Sequence, residues 1–153
     1  MASLNLRTFS KKQRIVFTWW KNNAPDFDGI ICDGAIRSGK TSCMALSFVI
    51  WASVNFQLRS FAFCGKTISS LKRNMLEELI PRLESLGFTV KNCHSKNYLD
   101  ISLGLKTNRF YIFGGKDEGS SSLIQGVTLA GVLLDEVALM PRTFVEQAAA
   151  RCS

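Results

Sequence analysis

Apolar residues recur along the chain with different spacings, and each spacing predicts a different type of element. Short apolar runs at residues 29–33, 61–64 and 129–136 predict buried β-strands. Residues from about 40 to 53 are apolar on nearly every helical face, which predicts a buried helix, and a second helix is predicted from Ser69 or Ser70 to about residue 85. Because buried strands alternate with helices, we expect an α/β fold whose sheet is mainly parallel and covered by helices on both faces.

The middle of the chain has a different pattern. Residues 88–91 and 98–103 alternate between apolar and polar side chains, as half-exposed strands do, and a turn at residues 104–108 leads into a third run at 109–113. These runs predict a small antiparallel insertion at about residues 88–113. A first helix is predicted to begin after Ser10, and a last one to run from Pro141 towards Ala150 after a polar loop at residues 114–122.

The composition is that of one globular domain. The chain has 153 residues, of which 46% are hydrophobic and 20% charged, enough for one core but not for two. No apolar run approaches the roughly 20 residues that a membrane-spanning helix needs. The start of the chain is polar and basic, unlike a secretory signal. We therefore expect a protein of the cytoplasm that has no membrane partner.

Positive charge is concentrated in the first half of the chain. The formal net charge is +7. Residues 1–73 hold eleven Lys and Arg against three Asp, a balance of +8, whereas residues 74–153 hold eight basic against nine acidic residues, a balance of −1. A basic half favours contact with a polyanion, either nucleic acid or nucleotide phosphate. A solubilising surface is the alternative, which charge alone leaves open.

Cysteine chemistry is not indicated. The five cysteines are scattered, form no C-x-x-C pair, and are accompanied by a single histidine, His94. A structural zinc site needs about four convergent ligands, and a disulfide framework is typical of small secreted domains. Cys93 and His94 are adjacent, and neighbouring residues of a strand point to opposite faces, so they do not suit a nucleophile and its base. Reduced core thiols are the expectation.

The strongest chemical signal is a full match to the phosphate-binding pattern G-x-x-x-x-G-K-[ST]. Its members are Gly34, Ala35, Ile36, Arg37, Ser38, Gly39, Lys40 and Thr41. The match follows a predicted strand and opens a predicted helix, which is the context that this loop requires. Glycines let backbone N–H groups approach phosphates, and the helix N-terminus adds partial positive charge. Lys40 is expected to bridge the β- and γ-phosphates of a nucleoside triphosphate, and Thr41 to bind Mg²⁺.

A second signal is the acidic end of the strand predicted at residues 129–136. An apolar run at residues 132–134 leads into Asp135 and Glu136. A carboxylate at this point lies at the carboxyl edge of the sheet, beside the phosphate-binding loop, where Asp135 would hold the Mg²⁺ ion. Glu136 would polarise the attacking water as a general base. Together the two signals predict hydrolysis of a triphosphate rather than binding alone.

Other residues have two interpretations each. Arg37 would reach the γ-phosphate as an arginine acting in cis, or it is a solvated loop charge. Gln13 would hydrogen-bond an adenine edge, or it completes a Ser10-x-x-Gln13 capping box. Lys66 and Thr67, after the second predicted strand, would touch DNA or simply end the strand.

These residues, in this order, resemble the ATPase domain of phage terminase large subunits of the PBSX-like branch. The resemblance covers nearly the whole chain. It rests on Gln13, on the loop from Gly34 to Thr41, and on further blocks at residues 63–67, 113–118, 125–126, 130–141 and 144–148. The last two blocks are the most specific to this branch.

The resemblance implies both roles for residues and a biological activity. Gln13 would be the adenine-contacting glutamine. Lys40 and Thr41 would hold phosphates and metal. Asp135 would be the Mg²⁺ ligand and Glu136 the catalytic base. In such proteins a ring of identical subunits at the portal protein hydrolyses ATP and, with the terminase small subunit, drives double-stranded DNA into a prohead in the bacterial host.

The resemblance also implies parts that this sequence does not contain. The family continues into an Asn-rich coupling motif and a nuclease domain, so residues 1–153 are expected to be the N-terminal part of the ATPase domain, without nuclease activity and with weak hydrolysis. Some terminases carry an arginine shortly before the acidic strand, where this chain reads Leu-Ile-Gln-Gly at residues 123–126. The alternative functions are a non-hydrolysing DNA-binding or assembly module and another type of P-loop NTPase.

Overall fold

The order of the elements follows the alternation that the sequence pattern predicts. The computed structural model describes residues 8–21, 28–35, 38–117 and 119–153. Within these ranges the elements are α1 (Lys11–Thr18), α2 (Lys40–Asn55), β1 (Ser60–Gly65), α3 (Ile68–Leu71), α4 (Glu77–Ser85), β2 (Thr89–Cys93), β3 (Tyr98–Leu103), β4 (Lys106–Gly114), α5 (Ser120–Gln125), β5 (Gly131–Leu134) and α6 (Arg142–Ala150). A π-helical turn joins α3 to α4, and short 3₁₀ turns follow β2 and β5.

The five strands of the described residues form one sheet in the order β2-β3-β4-β1-β5. Strand β1 pairs in parallel with both β4 and β5. Strand β3 pairs antiparallel with β2 on one side and with β4 on the other. The predicted antiparallel insertion is therefore confirmed, and it extends the same sheet on the far side of β4. The α/β fold class is confirmed as well.

Helices cover both faces of the sheet, as predicted. On one face Phe61 and Phe63 of β1 pack with Leu46 of α2 and Leu83 of α4 in the larger core. On the other face the intervening Ala62 and Cys64 pack beside α5 and α6 in a smaller core that includes Ile124 and Phe144. Successive strand residues point to opposite faces. Burial on both faces explains why β1 is apolar at nearly every position.

A π-helical turn keeps one long helical segment, residues 68–85, packed on the sheet. Leu71, Met75, Leu79 and Leu83 are buried at intervals of four residues. In an α-helix of 3.6 residues per turn, positions four apart drift by about 40° per step. The wider turn at Lys72–Leu76 offsets part of this drift. Pro81 lies inside α4 without ending it.

The start of this segment differs slightly from the prediction. The capping residue is Thr67, not Ser69 or Ser70, and its Oγ1 accepts a hydrogen bond from the Ser70 backbone N–H at 3.1 Å. Ser70 completes the same capping box from its third position. Threonine and serine are both good caps, so the pattern alone did not decide between them.

The strand predicted at residues 29–33 is wrong. Residues 28–35 have no regular secondary structure, and Ile31 is 95% exposed. A strand forms only where its backbone N–H and C=O groups find partners. On the side away from β1, residues 151–153 instead form hydrogen bonds with Leu129, which lies just before β5. The Leu129 N–H donates to the Arg151 carbonyl at 2.8 Å, and the Ser153 N–H donates to the Leu129 carbonyl at 2.9 Å.

Two boundaries near the carboxyl edge also differ from the prediction. Strand β5 ends at Leu134, so Asp135 and Glu136 lie just past its last residue. The short helix α5 occupies the end of the predicted polar loop, where Ile124 is fully buried. With so few apolar residues in this segment, the helical period could not be recognised. None of the helices in the described ranges has the length and apolar character needed to span a bilayer.

Candidate active site

The loop that matches the phosphate-binding pattern ends where α2 begins, as predicted. Gly39 precedes the helix with a φ of 75°, in the left-handed region that glycine adopts without strain. No side chain caps the helix at this position. The first backbone N–H groups of α2 are therefore available to a ligand, and together with the helix dipole they favour an anion.

Lys40 reaches back across the loop to its first residues. Its Nζ donates to the Gly34 carbonyl and, at 2.8 Å, to the Ala35 carbonyl. The ammonium group is therefore held at the loop by neutral acceptors. Phosphate oxygens are stronger acceptors for an ammonium group because they carry negative charge. The position of Nζ thus suits exchange of these carbonyls for a bound phosphate.

Thr41 and Asp135 meet at the carboxyl edge of the sheet. The Thr41 Oγ1 donates to Asp135 Oδ1 at 2.9 Å, across 94 residues of sequence, and the pair is partly buried. A hydroxyl oxygen next to a carboxylate oxygen is a donor set that Mg²⁺ accepts, since this ion prefers oxygen ligands and keeps several of its waters. The oxygens of these two side chains therefore fit a Mg²⁺ ion.

Packing between α2 and β5 brings this pair together. A Cβ at Gly131 would lie 2.8 Å from the Trp51 ring, so the absence of a side chain lets α2 lie directly on β5. Strand β5 is parallel to β1, and the Asp135 N–H continues the ladder by donating to the Cys64 carbonyl at 2.8 Å. The carboxyl end of β5 and the N-terminus of α2 thereby share one edge of the sheet.

Glu136 has an unusual backbone. Its φ of 53° and ψ of 49° place it in the left-handed region, and its side chain is exposed. The neighbouring 3₁₀ turn depends on this conformation, since the Leu139 N–H donates to the Glu136 carbonyl at 2.9 Å. A non-glycine residue costs free energy there, and such strain occurs preferentially at functional sites. The sequence carried no signal for it.

Gln13 lies against the end of the loop. Its Nε2 donates to the Ser38 carbonyl at 3.2 Å. The capping box with Ser10 is also present. Ile36 and Arg37 lie outside the described residues, so their predicted contacts stay predictions. The predicted role of Lys66 in DNA contact is also untested, while Thr67 caps a helix.

Burial favours the neutral form of Cys32, which comes two residues before the loop in the sequence. Desolvation raises the pKa of Cys32, and the Lys40 ammonium opposes this increase without reversing it. Burial likewise raises the pKa of Cys43 in the first turns of α2. Neither thiol is therefore activated as a nucleophile. No three His, Cys, Asp or Glu side chains are grouped to hold a metal ion in the described ranges. A Mg²⁺ ion that uses one carboxylate, one hydroxyl and phosphate oxygens needs no such group.

Sequence reasoning missed the role of Asp117, which joins the ends of β1 and β4. Its Oδ2 accepts a hydrogen bond from the Ile68 N–H at 2.6 Å. Two backbone bonds extend the same connection, from Gly115 N to Gly65 O at 2.8 Å and from Lys116 N to Lys66 O at 3.1 Å. The block at residues 113–118 contributed to the family resemblance, but no pattern indicated that it fastens two loops at the edge that carries the site.

The chain is similar to solved structures of large terminases. The chain is 56% identical to the large terminase of a thermophilic bacteriophage, with a TM-score of 0.91 over 95% of this chain and 36% of that chain. The same phage protein has also been solved with ADP, at 54% identity and a TM-score of 0.88 over 95% of this chain and 36% of that one. With ATP-γ-S the values are 52% and 0.86, over 95% of this chain and 35% of that one.

A more distant structure supports the fold alone. The large terminase ATPase domain of Thermus phage P74-26 is 17% identical, with a TM-score of 0.56 over 75% of this chain and 51% of that chain. No protein-family model and no curated protein matches the chain. The chain spans about a third of the length of the thermophilic bacteriophage terminase, at an identity of more than half. It belongs to the terminase large-subunit family.

Proposed function

We propose that the chain carries the ATP-binding and hydrolysing site of a terminase large subunit that packages double-stranded DNA. The observation that carries this proposal is the hydrogen bond between Thr41 of the loop helix and Asp135 after β5. This contact unites the two halves of an NTPase site, one for phosphate and one for metal. The thermophilic bacteriophage terminase, which has been solved with ADP and with ATP-γ-S, supports the choice of nucleotide.

Phosphate binding is assigned to the loop and the helix that follows it. Lys40 would exchange its contacts with Gly34 and Ala35 for the β- and γ-phosphates. Backbone N–H groups from Ala35, Ile36, Arg37, Ser38 and Gly39 would complete the cradle. Thr41 and Asp135 would hold Mg²⁺, which supplies positive charge where negative charge develops on the transferred phosphoryl group.

Hydrolysis requires a base beside the metal ligand, and we assign that role to Glu136, the residue after Asp135. Its exposed carboxylate would take a proton from a water molecule while the water oxygen forms a bond to the γ-phosphorus. The bond from that phosphorus to the bridging oxygen breaks, and ADP leaves with the electron pair. The left-handed backbone of Glu136 sets the direction of its side chain. Arg37 as a cis-acting arginine and Gln13 as an adenine contact remain parts of this proposal.

The wider role rests on the family. We assign to the whole protein a ring of subunits at the portal protein in the host cytoplasm, working with the terminase small subunit on double-stranded DNA. The net charge of +7 supports a polyanionic partner. A second function, a nucleotide-binding module without hydrolysis, is favoured by one observation. The segment before the loop pairs with no strand in the described residues, so no strand holds that end of the loop.

ATP turnover of the purified chain tests the proposal. We expect measurable Mg²⁺-dependent release of phosphate that both Lys40→Ala and Glu136→Gln abolish. The Glu136→Gln variant should still bind ATP, because it lacks only the base, whereas Lys40→Ala should bind it weakly. Binding of ATP without any turnover in the parent chain would favour the non-hydrolysing module. Equal turnover in parent and Glu136→Gln would show that Glu136 is not the base.

A further inference from the structure

One side-chain amide connects the first helix to the phosphate-binding loop. The Oε1 of Gln13 accepts a hydrogen bond from the Ser10 backbone N–H at 2.9 Å, inside the capping box. On the other side of the same amide, Nε2 donates to the Ser38 carbonyl at 3.2 Å. Since Ser10 anchors one end of this planar group, the other end is held at a fixed place beside the loop.

The bond to Ser38 sets the orientation of the peptide between Ser38 and Gly39. In a trans peptide the C=O and N–H groups point in opposite directions. A Ser38 carbonyl turned towards Gln13 therefore turns the Gly39 N–H away from Gln13. This N–H is one of the groups that a loop of this pattern offers to phosphate. Gln13 thus determines which way a phosphate-binding donor faces.

Close packing reinforces the contact. A Cβ at Gly39 would lie 3.2 Å from the Gln13 Nε2, so the amide lies directly on the glycine backbone. Helix α1 is itself well supported, because the Ser47 hydroxyl of α2 donates to the Val16 carbonyl at 2.6 Å and Phe17 is buried in the larger core. The Gln13 amide therefore belongs to a helix, α1, that is packed firmly against α2, the helix that follows the loop.

We propose that Gln13 is a positioning residue of the phosphate-binding loop, which holds the Ser38–Gly39 peptide ready for the polyphosphate of any nucleoside triphosphate. This inference rests on the proposed function, since it concerns the same site. A positioning role and an adenine contact differ in the ligands whose binding they improve. A base contact improves the binding of ATP alone, whereas loop positioning improves the binding of every ligand that carries the same phosphates.

Equilibrium binding of ATP, GTP and inorganic tripolyphosphate, each with Mg²⁺, separates these roles. The variant Gln13→Met is neutral and similar in length but neither donates to Ser38 nor accepts from Ser10. Loss of one hydrogen bond predicts that it weakens all three ligands by a similar factor, about three- to tenfold. The control Ser10→Ala removes the hydroxyl from the same cap but keeps the Ser10 backbone N–H that holds the Gln13 amide, and it should bind all three ligands as the parent does.

The outcomes distinguish this inference from the proposed function. A loss confined to ATP, or equal losses in Gln13→Met and Ser10→Ala, would overturn the positioning role, the second because it would indicate a general effect of α1 stability. Thermal unfolding of both variants should shift by a similar amount, whereas only Gln13→Met changes affinity. The proposed function is tested separately by Lys40→Ala, which should weaken all three ligands whatever Gln13 does. A parent chain that binds none of them would contradict both.

Discussion

Thr41 and Asp135 are joined by a hydrogen bond of 2.9 Å, although Thr41 lies in the first turn of α2 and Asp135 follows β5. The contact exists because β5 is parallel to β1 and lies under α2, with Gly131 leaving room for the Trp51 ring. A hydroxyl and a carboxylate in this relation satisfy each other and also present oxygens to a common ligand. The two predicted halves of the site are therefore brought together by the fold.

Two substitutions at Thr41 should show whether the hydroxyl group, rather than the shape of the side chain, is needed for binding of ATP with Mg²⁺. Thr41→Val keeps the shape but leaves Asp135 without its donor and removes one candidate metal ligand. Ligand and supporting groups at metal sites change affinity about 10- to 100-fold, so Mg²⁺-dependent ATP binding should fall by a factor in that range. Thr41→Ser keeps the hydroxyl and should bind within about threefold of the parent. Calorimetric titration of both variants checks this, and equal losses would contradict it.

The strain at Glu136 gives a second prediction. Because its φ is 53°, Glu136→Gly relieves the cost of a side chain in the left-handed region. We expect Glu136→Gly to be more stable to unfolding than Glu136→Gln by about 1 kcal/mol. Both variants should lack ATP turnover, since neither has the carboxylate. Urea unfolding gives the first quantity, and a glycine variant that is less stable than the glutamine variant would show that the conformation is not strained.

Gly114 should tolerate no side chain. A Cβ there would lie 1.7 Å from Asp117 Oδ2 and 2.7 Å from the Ile68 backbone nitrogen. Gly114→Ala must therefore break the connection between the ends of β1 and β4, with a loss of about 3 kcal/mol in unfolding free energy. The matched control is Gly126→Ala, where the nearest atom to the new Cβ is a carbonyl oxygen at 3.5 Å. A similar stability for both variants would contradict this account of Asp117.

The residues to which we assign the chemistry could be selected from the sequence because their types and spacing are what phosphate and metal binding need. Gly34 to Thr41 and the pair Asp135 and Glu136 follow from the requirements of phosphate and metal binding. The buried strand β1 and the long helix α2 follow from apolar runs of suitable length. The order of strands in the sheet did not follow from any local pattern.

What the sequence failed to predict depends on contacts between distant residues. Residues 29–33 have the composition of a strand, but they pair with no other strand in the described ranges. Asp117 acts through Ile68, which is 49 residues away. Glu136 has a left-handed backbone although it is not glycine, and its residue type therefore does not predict this conformation. In each case the outcome is decided by which backbone groups find partners, and this is known only once the elements are packed.

The central claim is that the loop and the end of β5 form one site for nucleotide and Mg²⁺. Its most direct test is the affinity of ATP-γ-S for the parent chain and for Asp135→Ala, each measured by calorimetry with Mg²⁺ and with EDTA. Mg²⁺ should tighten binding by the parent about tenfold or more, and this gain should be lost in Asp135→Ala while affinity in EDTA stays similar. If Mg²⁺ tightens binding equally in both chains, Asp135 does not hold the metal and the account of the site is wrong.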